Sequence, residues 1–168
     1  MSRTPKQVVH EMESNISQSM DMLLSEAKIL IDEFWMYFNA ENKRLAQLHK
    51  SGQETGAMPN QIAPVIEHRT DKETGTTRHY IVWKRHSIKF RTNVAKSGRQ
   101  SASLKLHNYT IDDATPHIRK YCTWNAHVAL ELEKKLITYR FAIKALHECA
   151  KKVRVGIRRI NKTEGEDN

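Results

Sequence analysis

Residues 116–160 of the chain read PHIRKYCTWNAHVALELEKKLITYRFAIKALHECAKKVRVGIRRI. Seam positions recur along this stretch at heptad spacing, with one extra step of four residues, a stutter that locally unwinds a supercoil. They are Ile118, Tyr121, Asn125, Val128, Leu132, Leu136, Tyr139, Ile143, Leu146, Ala150, Val153, Ile157 and Ile160. A helix over this stretch would extend about 65 Å. That is longer than a compact domain of 168 residues is wide, so the helix must lie along a second helix.

The N-terminal third supplies that second helix. Thr4 followed by Pro5 is a typical helix start, and Ser51-Gly52 is a typical end. Between them, seam positions are spaced alternately by four and three residues: Ile16, Met20, Leu23, Ala27, Leu30, Phe34 and Tyr37. We therefore expect helix one over residues 5–51, antiparallel to a C-terminal helix over residues 112–161 that starts at Thr115-Pro116. The middle of the chain leaves and returns at the same end of this pair.

An antiparallel pair also brings together aromatic residues from both helices. The end of helix one carries Phe34, Trp35, Tyr37 and Phe38, and the start of the last helix carries Tyr121 and Trp124. We expect these side chains to form a core where the helices meet the sheet. Base stacking by one of the two tryptophans is the alternative role.

The middle, residues 52–110, is predicted to be a loop followed by an antiparallel β-meander of three or four strands. Strands are expected at residues 65–69, 77–85, 87–94 and 101–107, with hairpin turns at residues 71–75 and 96–99. The chain is thus predicted to be one α+β domain. Two long antiparallel helices form a coiled-coil-like hairpin, with the small meander inserted between them at one end. Residues 162–168 form a disordered acidic tail.

The charge of the chain points to a polyanionic partner. The net charge is +9, and residues 68–107 carry ten Lys and Arg against two Asp and Glu. Cations alternate with apolar residues in these predicted strands, so one face of the meander is expected to be basic and to grip nucleic-acid phosphates. The predicted contact residues are Arg78, Lys84, Arg85, Lys89, Arg91, Lys96, Arg99, Lys105 and His107. Strands that carry charge only for solubility would show mixed signs.

Two further groups of residues have two interpretations each. Trp83 and Tyr80 could stack on bases, as on the sheet surfaces of single-strand binders, or belong to the core. Arg154, Arg158 and Arg159 could make a second contact or form a solvated helix end, and the latter is the favoured interpretation.

Catalytic and metal-site patterns are not found in the sequence. His107-Asn108-Tyr109 pairs a histidine with a tyrosine, but a nicking enzyme also needs a metal-binding histidine cluster, commonly with HxH spacing. His147-Glu148-Cys149 falls within a helix, where adjacent side chains diverge. Asp112-Asp113 suits a helix start. We therefore expect a non-enzymatic protein without a catalytic residue, metal or cofactor; a nuclease would need a ligand set that the sequence does not supply.

The expected location is the cytoplasm. No run reaches the roughly 18 apolar residues of a membrane span, and the N-terminus lacks the apolar core of a signal peptide. Cys122 and Cys149 fall in one predicted helix, too far apart to be joined, and are expected to be reduced and buried.

Four segments resemble MobI, the family of small conjugation proteins of integrative conjugative elements and large conjugative plasmids. They are EAKILIDEFWMYF (residues 26–38), YIVWKR (80–85), LKLHNYT (104–110) and WNAHVALELEKKLITYRFAIKAL (124–146), and the resemblance covers residues 16–155. In the last segment it includes Glu131, Glu133 and Arg140.

The resemblance implies a bacterial cytoplasmic auxiliary protein of the relaxosome that binds the origin of transfer without cutting DNA. Its partners would be DNA and the relaxase or other relaxosome proteins, and helices this long also allow a homodimer. The alternative is a helical protein-protein interaction factor, dimeric or relaxase-binding, with no direct nucleic-acid contact.

Overall fold

Three helices and a two-stranded antiparallel sheet make up the described part of the chain. The structure is a computed structural model, and it describes residues 3–53, 62–72, 74–85, 110–122, 124–163 and 165. The elements in chain order are α1 (Pro5–Lys50), β1 (Ile62–Thr70), β2 (Thr77–Arg85), α2 (Ile111–Tyr121) and α3 (Ala126–Thr163). The class is α+β, as predicted, whereas the strands expected at residues 87–94 and 101–107 lie outside the described residues.

Helix α1 begins at the expected residue because Thr4 caps it. The Thr4 hydroxyl accepts from the amide of Gln7, and the Gln7 side chain accepts from the amide of Thr4. This reciprocal capping box satisfies two backbone donors that a helix start leaves unpaired. The helix ends one residue before the expected end, where Ser51 donates its amide to Gln47 and Gly52 adopts a positive φ of 77°.

Helices α1 and α3 run antiparallel, side by side. Three contacts show it. The side chain of Glu13 lies 3.6 Å from that of Arg154, and the Tyr139 hydroxyl donates to Glu26. The ring centres of Tyr37 and of Trp124, just before α3, are 5.3 Å apart. As the residue number rises along α1, it falls along α3. The inner face of α1 is buried at Met20, Ala27, Ile31, Phe34, Phe38 and Leu45.

The expected single C-terminal helix is wrong, because two helices occupy that stretch. Helix α2 starts earlier than predicted, with Thr110 as N-cap, so Pro116 lies inside it rather than at its first turn. Cys122 ends α2 with a non-helical backbone. Helix α3 then starts after Asn125, whose carbonyl accepts from the amide of Ala129. Asparagine is a favoured N-cap residue, and heptad arithmetic treated it as a seam position.

The two cysteines differ from the expectation in two respects, because they do not share one helix and only one of them is buried. Cys122 is buried at the end of α2, whereas Cys149 is exposed on α3, and both are free thiols. The prediction of two buried cysteines is therefore wrong for Cys149, which follows the polar face of its helix.

The β-hairpin has the predicted turn. Its strands pair from Ile62 opposite Arg85 to Thr70 opposite Thr77. In the turn, Asp71 accepts the amide of Gly75 and donates its own amide to Thr76, while Gly75 adopts a φ of 64°. Glycine reaches this left-handed region without steric cost.

The hairpin does not sit at the tip of the helix pair. Contacts with α3 run along β2 and into the turn, pairing Trp83 with Glu133, Ile81 with Arg140, His79 with His147 and Thr76 with Arg154. The strand thus lies along α3 and antiparallel to it over some twenty residues of helix. The expected placement of the sheet at one end of the helices is therefore wrong.

Candidate nucleic-acid interface

Three of the nine predicted contact residues lie on β2, namely Arg78, Lys84 and Arg85. Lys89, Arg91, Lys96, Arg99, Lys105 and His107 lie outside the described residues. The placement of the basic face can therefore be followed on one strand and its neighbour β1.

Arg78 and Lys84 share the outward face of the hairpin. Side chains alternate along a strand, and the register places Arg69 of β1 opposite Arg78 on that same face. The face also carries an acid, because Glu67 pairs with Lys84 at 2.6 Å and with Arg69 at 2.7 Å. Hydrogen bonds from Lys84 lower the pKa of Glu67 despite partial burial, so this carboxylate stays charged and offsets part of the positive charge.

Arg85 points to the other side of the sheet. Its guanidinium lies 5.4 Å from the ring centre of Tyr121 on α2, a distance typical of a cation–π contact. The three described residues of the predicted site therefore do not share one face. An alternation count assigns Arg78 and Lys84 to one face and Arg85 to the other, and the prediction overlooked it.

The aromatic residues of β2 are mostly structural. Trp83 is completely buried, its ring lies edge-on to Phe34 with centroids 5.6 Å apart, and its indole nitrogen donates to Glu133 at 2.6 Å. Base stacking by Trp83 is therefore excluded while the fold is intact. Tyr80 lies half-buried on the outward face, with the Arg69 guanidinium 5.0 Å from its ring centre.

A seam of polar residues on α3 positions the hairpin. Its four members, Glu133, Arg140, His147 and Arg154, are seven residues apart and lie along one side of the helix. Each contacts a successive part of the hairpin, from Trp83 to Thr76 in its turn. Sequence reasoning missed this seam because it followed the apolar heptad positions alone. The seven-residue spacing of polar residues was the available signal.

The first two seam residues form a buried ion pair. The Glu133 and Arg140 side chains are 1% and 5% exposed. Arg140 binds both carboxylate oxygens of Glu133, and its Nε donates to the carbonyl of Ile81 at 2.8 Å. Such a bidentate pair with further hydrogen bonds offsets much of the desolvation cost of two buried charges. It ties α3 to the backbone of β2.

The third seam residue belongs to a histidine cluster near the turn. His68 and His79 face each other across the strands with their Nδ1 atoms 2.7 Å apart, so one nitrogen must donate and the other accept. The His79 amide donates to Nε2 of His147 at 3.1 Å, and their rings stack. Burial is the main cause that lowers the pKa of His79 and of His147.

Among the described residues, a dense positive surface lies on the second half of α3. Residues 144–163 contain seven Lys and Arg against one acid, Glu148. All seven cations are exposed, and at 3.6 residues per turn they fall within an arc of about 160° opposite the inward apolar residues. We call this surface the cationic arc; its members are Lys144, Lys151, Lys152, Arg154, Arg158, Arg159 and Lys162.

The cationic arc adjoins the turn of the hairpin. Arg154 donates to the Thr76 hydroxyl at 2.9 Å and also lies near Glu13 of α1. Arg78 of β2 is close enough to His147 to lower its pKa electrostatically. Sequence reasoning had named three arginines of this surface and favoured a solvated helix end. It missed the four lysines, which a charge count over residues 144–163 would have found.

No metal-binding cluster is found in the described residues. Within them, no three His, Cys, Asp or Glu side chains are grouped so that they could hold a metal ion. Asp112 and Asp113 lie in the first turn of α2, where negative charge stabilises the helix. Among the helices of the described ranges, none is both long and apolar enough to cross a membrane.

No protein-family model, curated protein sequence or solved structure matches the chain.

Proposed function

We propose that this protein is a non-catalytic DNA-binding accessory factor that helps to initiate conjugative transfer at an origin of transfer. The observation that carries the DNA-binding part is the cationic arc, with seven exposed cations on one side of a single helix. The conjugative setting and the relaxase partner are supported by the four segments that resemble the MobI family.

The dimensions of the arc suit a nucleic-acid backbone. From Lys144 to Lys162 it extends about 27 Å along the helix axis. Duplex DNA presents one phosphate charge about every 1.7 Å of axis, so several phosphates fall within reach of the arc. A helix of this width also fits the major groove. Backbone contacts of this kind give affinity without sequence preference.

The outward face of the hairpin extends this surface. Arg78 is close to His147, which lies next to the arc on α3. Lys84 lies further along β2 and is partly neutralised by Glu67. We therefore assign the main contact to α3 and a lesser one to the hairpin. This differs from the expectation drawn from the sequence, which placed the main contact on the sheet.

Fluorescence anisotropy tests the proposal with origin duplex, random duplex, single-stranded DNA and RNA, each at two salt concentrations. Lys151→Gln with Arg158→Gln removes two cations of the arc, whereas Lys43→Gln with Lys50→Gln removes two exposed cations of α1. The arc variant should reduce the salt slope by about 2 and the affinity by roughly 50-fold at about 0.1 M salt. The control variant should bind like the parent protein.

A third variant addresses the sheet. Lys89→Ala with Arg91→Ala should weaken binding only if the predicted strand beyond β2 reaches the DNA, and unchanged binding would remove the sheet from the mechanism. Equal affinity of the arc variant and the control would contradict the assignment to α3. If the protein bound origin and random duplex equally well, it would still be a DNA-binding protein, but recognition of the origin would be contradicted.

The second candidate is a helical interaction factor with no nucleic-acid contact. Three large apolar side chains on the outer face of α1, Met22, Ile29 and Met36, favour it because each is more than half exposed. A chain that binds none of the four nucleic acids at low salt but forms a tight dimer would favour this candidate over the first.

A further inference from the structure

Helix α1 has a second apolar seam that the fold leaves on the surface. Met22, Ile29 and Met36 are seven residues apart and are 59%, 57% and 74% exposed. The inner seam of the same helix is buried against α3 and the hairpin. Surface helices of single domains normally have one apolar stripe. A helix with two such stripes is typical of a bundle in which it has neighbours on two sides.

The surface around this outer seam is acidic on balance, because residues 26–33 carry three acids against one cation, Lys28, which pairs with Asp32. Glu26, Asp32 and Glu33 lie three or four residues from Ile29 and hence on the same side of the helix. A helix that covers the seam should therefore carry apolar residues flanked by cations. The neighbouring helix α3 carries Lys134 and Lys135 at the same level, together with one acid, Glu131, which pairs with Lys134 at 2.5 Å. Phe141, one to two turns further along α3, is 53% exposed.

A groove joins the two helices at this level. It has a volume of about 500 Å³, its floor is apolar, and its rim is charged. Leu30 and Tyr37 of α1 and Val128 of α3 contribute to the floor, while Glu33 and Lys135 stand on opposite sides of the rim. The groove thus combines Glu33 on the α1 side, Glu131 and Lys135 on the α3 side, and room for apolar side chains between them.

We infer that this face, the outer seam of α1 with the adjoining groove, is an interface with a second copy of the chain. The intramolecular contacts place Glu26 level with Tyr139 and Glu13 level with Arg154, so Asp32 and Glu33 are level with the segment around Lys134. A twofold axis parallel to the helices keeps every residue at its own level and sets α1 over α3 of the second copy. The acids of each copy then face the lysines of the other.

The charges select this arrangement over the other symmetric one. A twofold axis perpendicular to the helices would place α1 on α1 of the second copy. With this axis at the level of Ile29, the centre of the outer seam, the acidic segment 26–33 would meet the same segment of the other copy, and like charges brought together at an interface are destabilising. The interface is separate from the proposed DNA contact, because the cationic arc occupies the far half of α3.

Sedimentation velocity of the nuclease-treated, nucleic-acid-free chain between 1 and 100 µM tests the inference. The parent protein should sediment as a dimer, with twice the mass of one chain, within this concentration range. The variant Met22→Gln, Ile29→Gln and Met36→Gln should remain monomeric. The control variant Val8→Gln with Met12→Gln removes exposed apolar residues of the same helix outside the seam and should still form the dimer. Circular dichroism should show the same helical content in all three.

A charge exchange tests the geometry. Asp32→Lys with Glu33→Lys should weaken the dimer, Lys134→Glu with Lys135→Glu should weaken it as well, and the four changes combined should restore it. A parent chain that stays monomeric at 100 µM, or a seam variant that still dimerises, would overturn the inference. Failure of the combined variant to recover would overturn the contact of α1 with α3. DNA affinity of the seam variant should be retained, so loss of the dimer and loss of DNA binding are distinguishable.

Discussion

Replacing Arg140 with methionine removes the central link between α3 and the hairpin. In the folded protein Arg140 neutralises Glu133 and donates to the carbonyl of Ile81. Methionine is also unbranched, but it is shorter and has no charge or hydrogen-bond donor. The carboxylate of Glu133, which is 1% exposed, would keep the indole of Trp83 as a partner but lose its counter-charge.

The expected loss is large for a single substitution. Removing one partner of a buried ion pair costs about 3–5 kcal/mol, because the remaining charge is buried without compensation. Domains of this size unfold about 2–4 °C earlier for each kcal/mol lost, so the unfolding temperature should fall by about 6–20 °C. Since a typical domain has a free energy of unfolding of about 5–15 kcal/mol, the variant would keep only part of its stability.

Urea and thermal unfolding followed by circular dichroism measure the loss. Arg158→Met is the matched control, because it makes the same change at an exposed site on the same helix. It should change the free energy of unfolding by no more than about 0.5 kcal/mol. The double variant Glu133→Met with Arg140→Met should lose less than Arg140→Met alone, since no buried charge is left. A loss under about 1 kcal/mol in Arg140→Met would refute the structural role of the pair.

Two further predictions concern titration and thiol reactivity. Because the pKa values of His79 and His147 are lowered in the folded protein, the unfolded chain takes up protons first as the pH falls. The free energy of unfolding should therefore be level above about pH 7 and fall as the pH drops through about 6.5. Urea unfolding should show a smaller change in this free energy between pH 7.5 and 5.5 after His79→Gln with His147→Gln, and an identical change would contradict the role of the cluster. Cys149 is exposed, whereas burial raises the pKa of Cys122 to about 12. A thiol reagent should therefore modify Cys149 in the folded chain and Cys122 only after unfolding. Rapid modification of both thiols in the folded chain would contradict the burial of Cys122.

The first helix and the hairpin turn could be predicted because their signals are local. Thr4 and Pro5 define a helix start through backbone hydrogen bonds within one turn. Residues 71–75 define a turn through a glycine that adopts a positive φ. Neither depends on how the chain packs elsewhere.

The break between α2 and α3 could not be predicted from heptad positions. A heptad count tests only whether apolar residues recur on one side, and it continues through a break that keeps the same period. The signal for the break was also local, because Asn125, a favoured N-cap residue type, directly precedes the first residue of α3. Counting it as a seam residue joined two helices into one.

The predicted basic face depended on strand register and on ion pairs that a sequence does not reveal. Glu67 lies 17 residues before Lys84 in the sequence but contacts it across the hairpin. Arg85 follows Lys84 directly and points the opposite way. The charge count over residues 68–107 therefore overestimates the positive charge that the described strands present on one surface.

The polar seam of α3 explains why the hairpin lies along the helix instead of at its end. Arg140 binds a backbone carbonyl of β2, and His147 accepts a backbone amide of the same strand, so both contacts depend on the position of the strand and not on its side chains. A shift of β2 by one residue would turn Trp83 away from Glu133, and the hydrogen bond between the indole and the carboxylate would be lost. The register of the hairpin against α3 is thereby determined, and with it the position of the turn beside Arg154. The cationic arc consequently adjoins a fixed hairpin edge, and a ligand bound there would contact both elements.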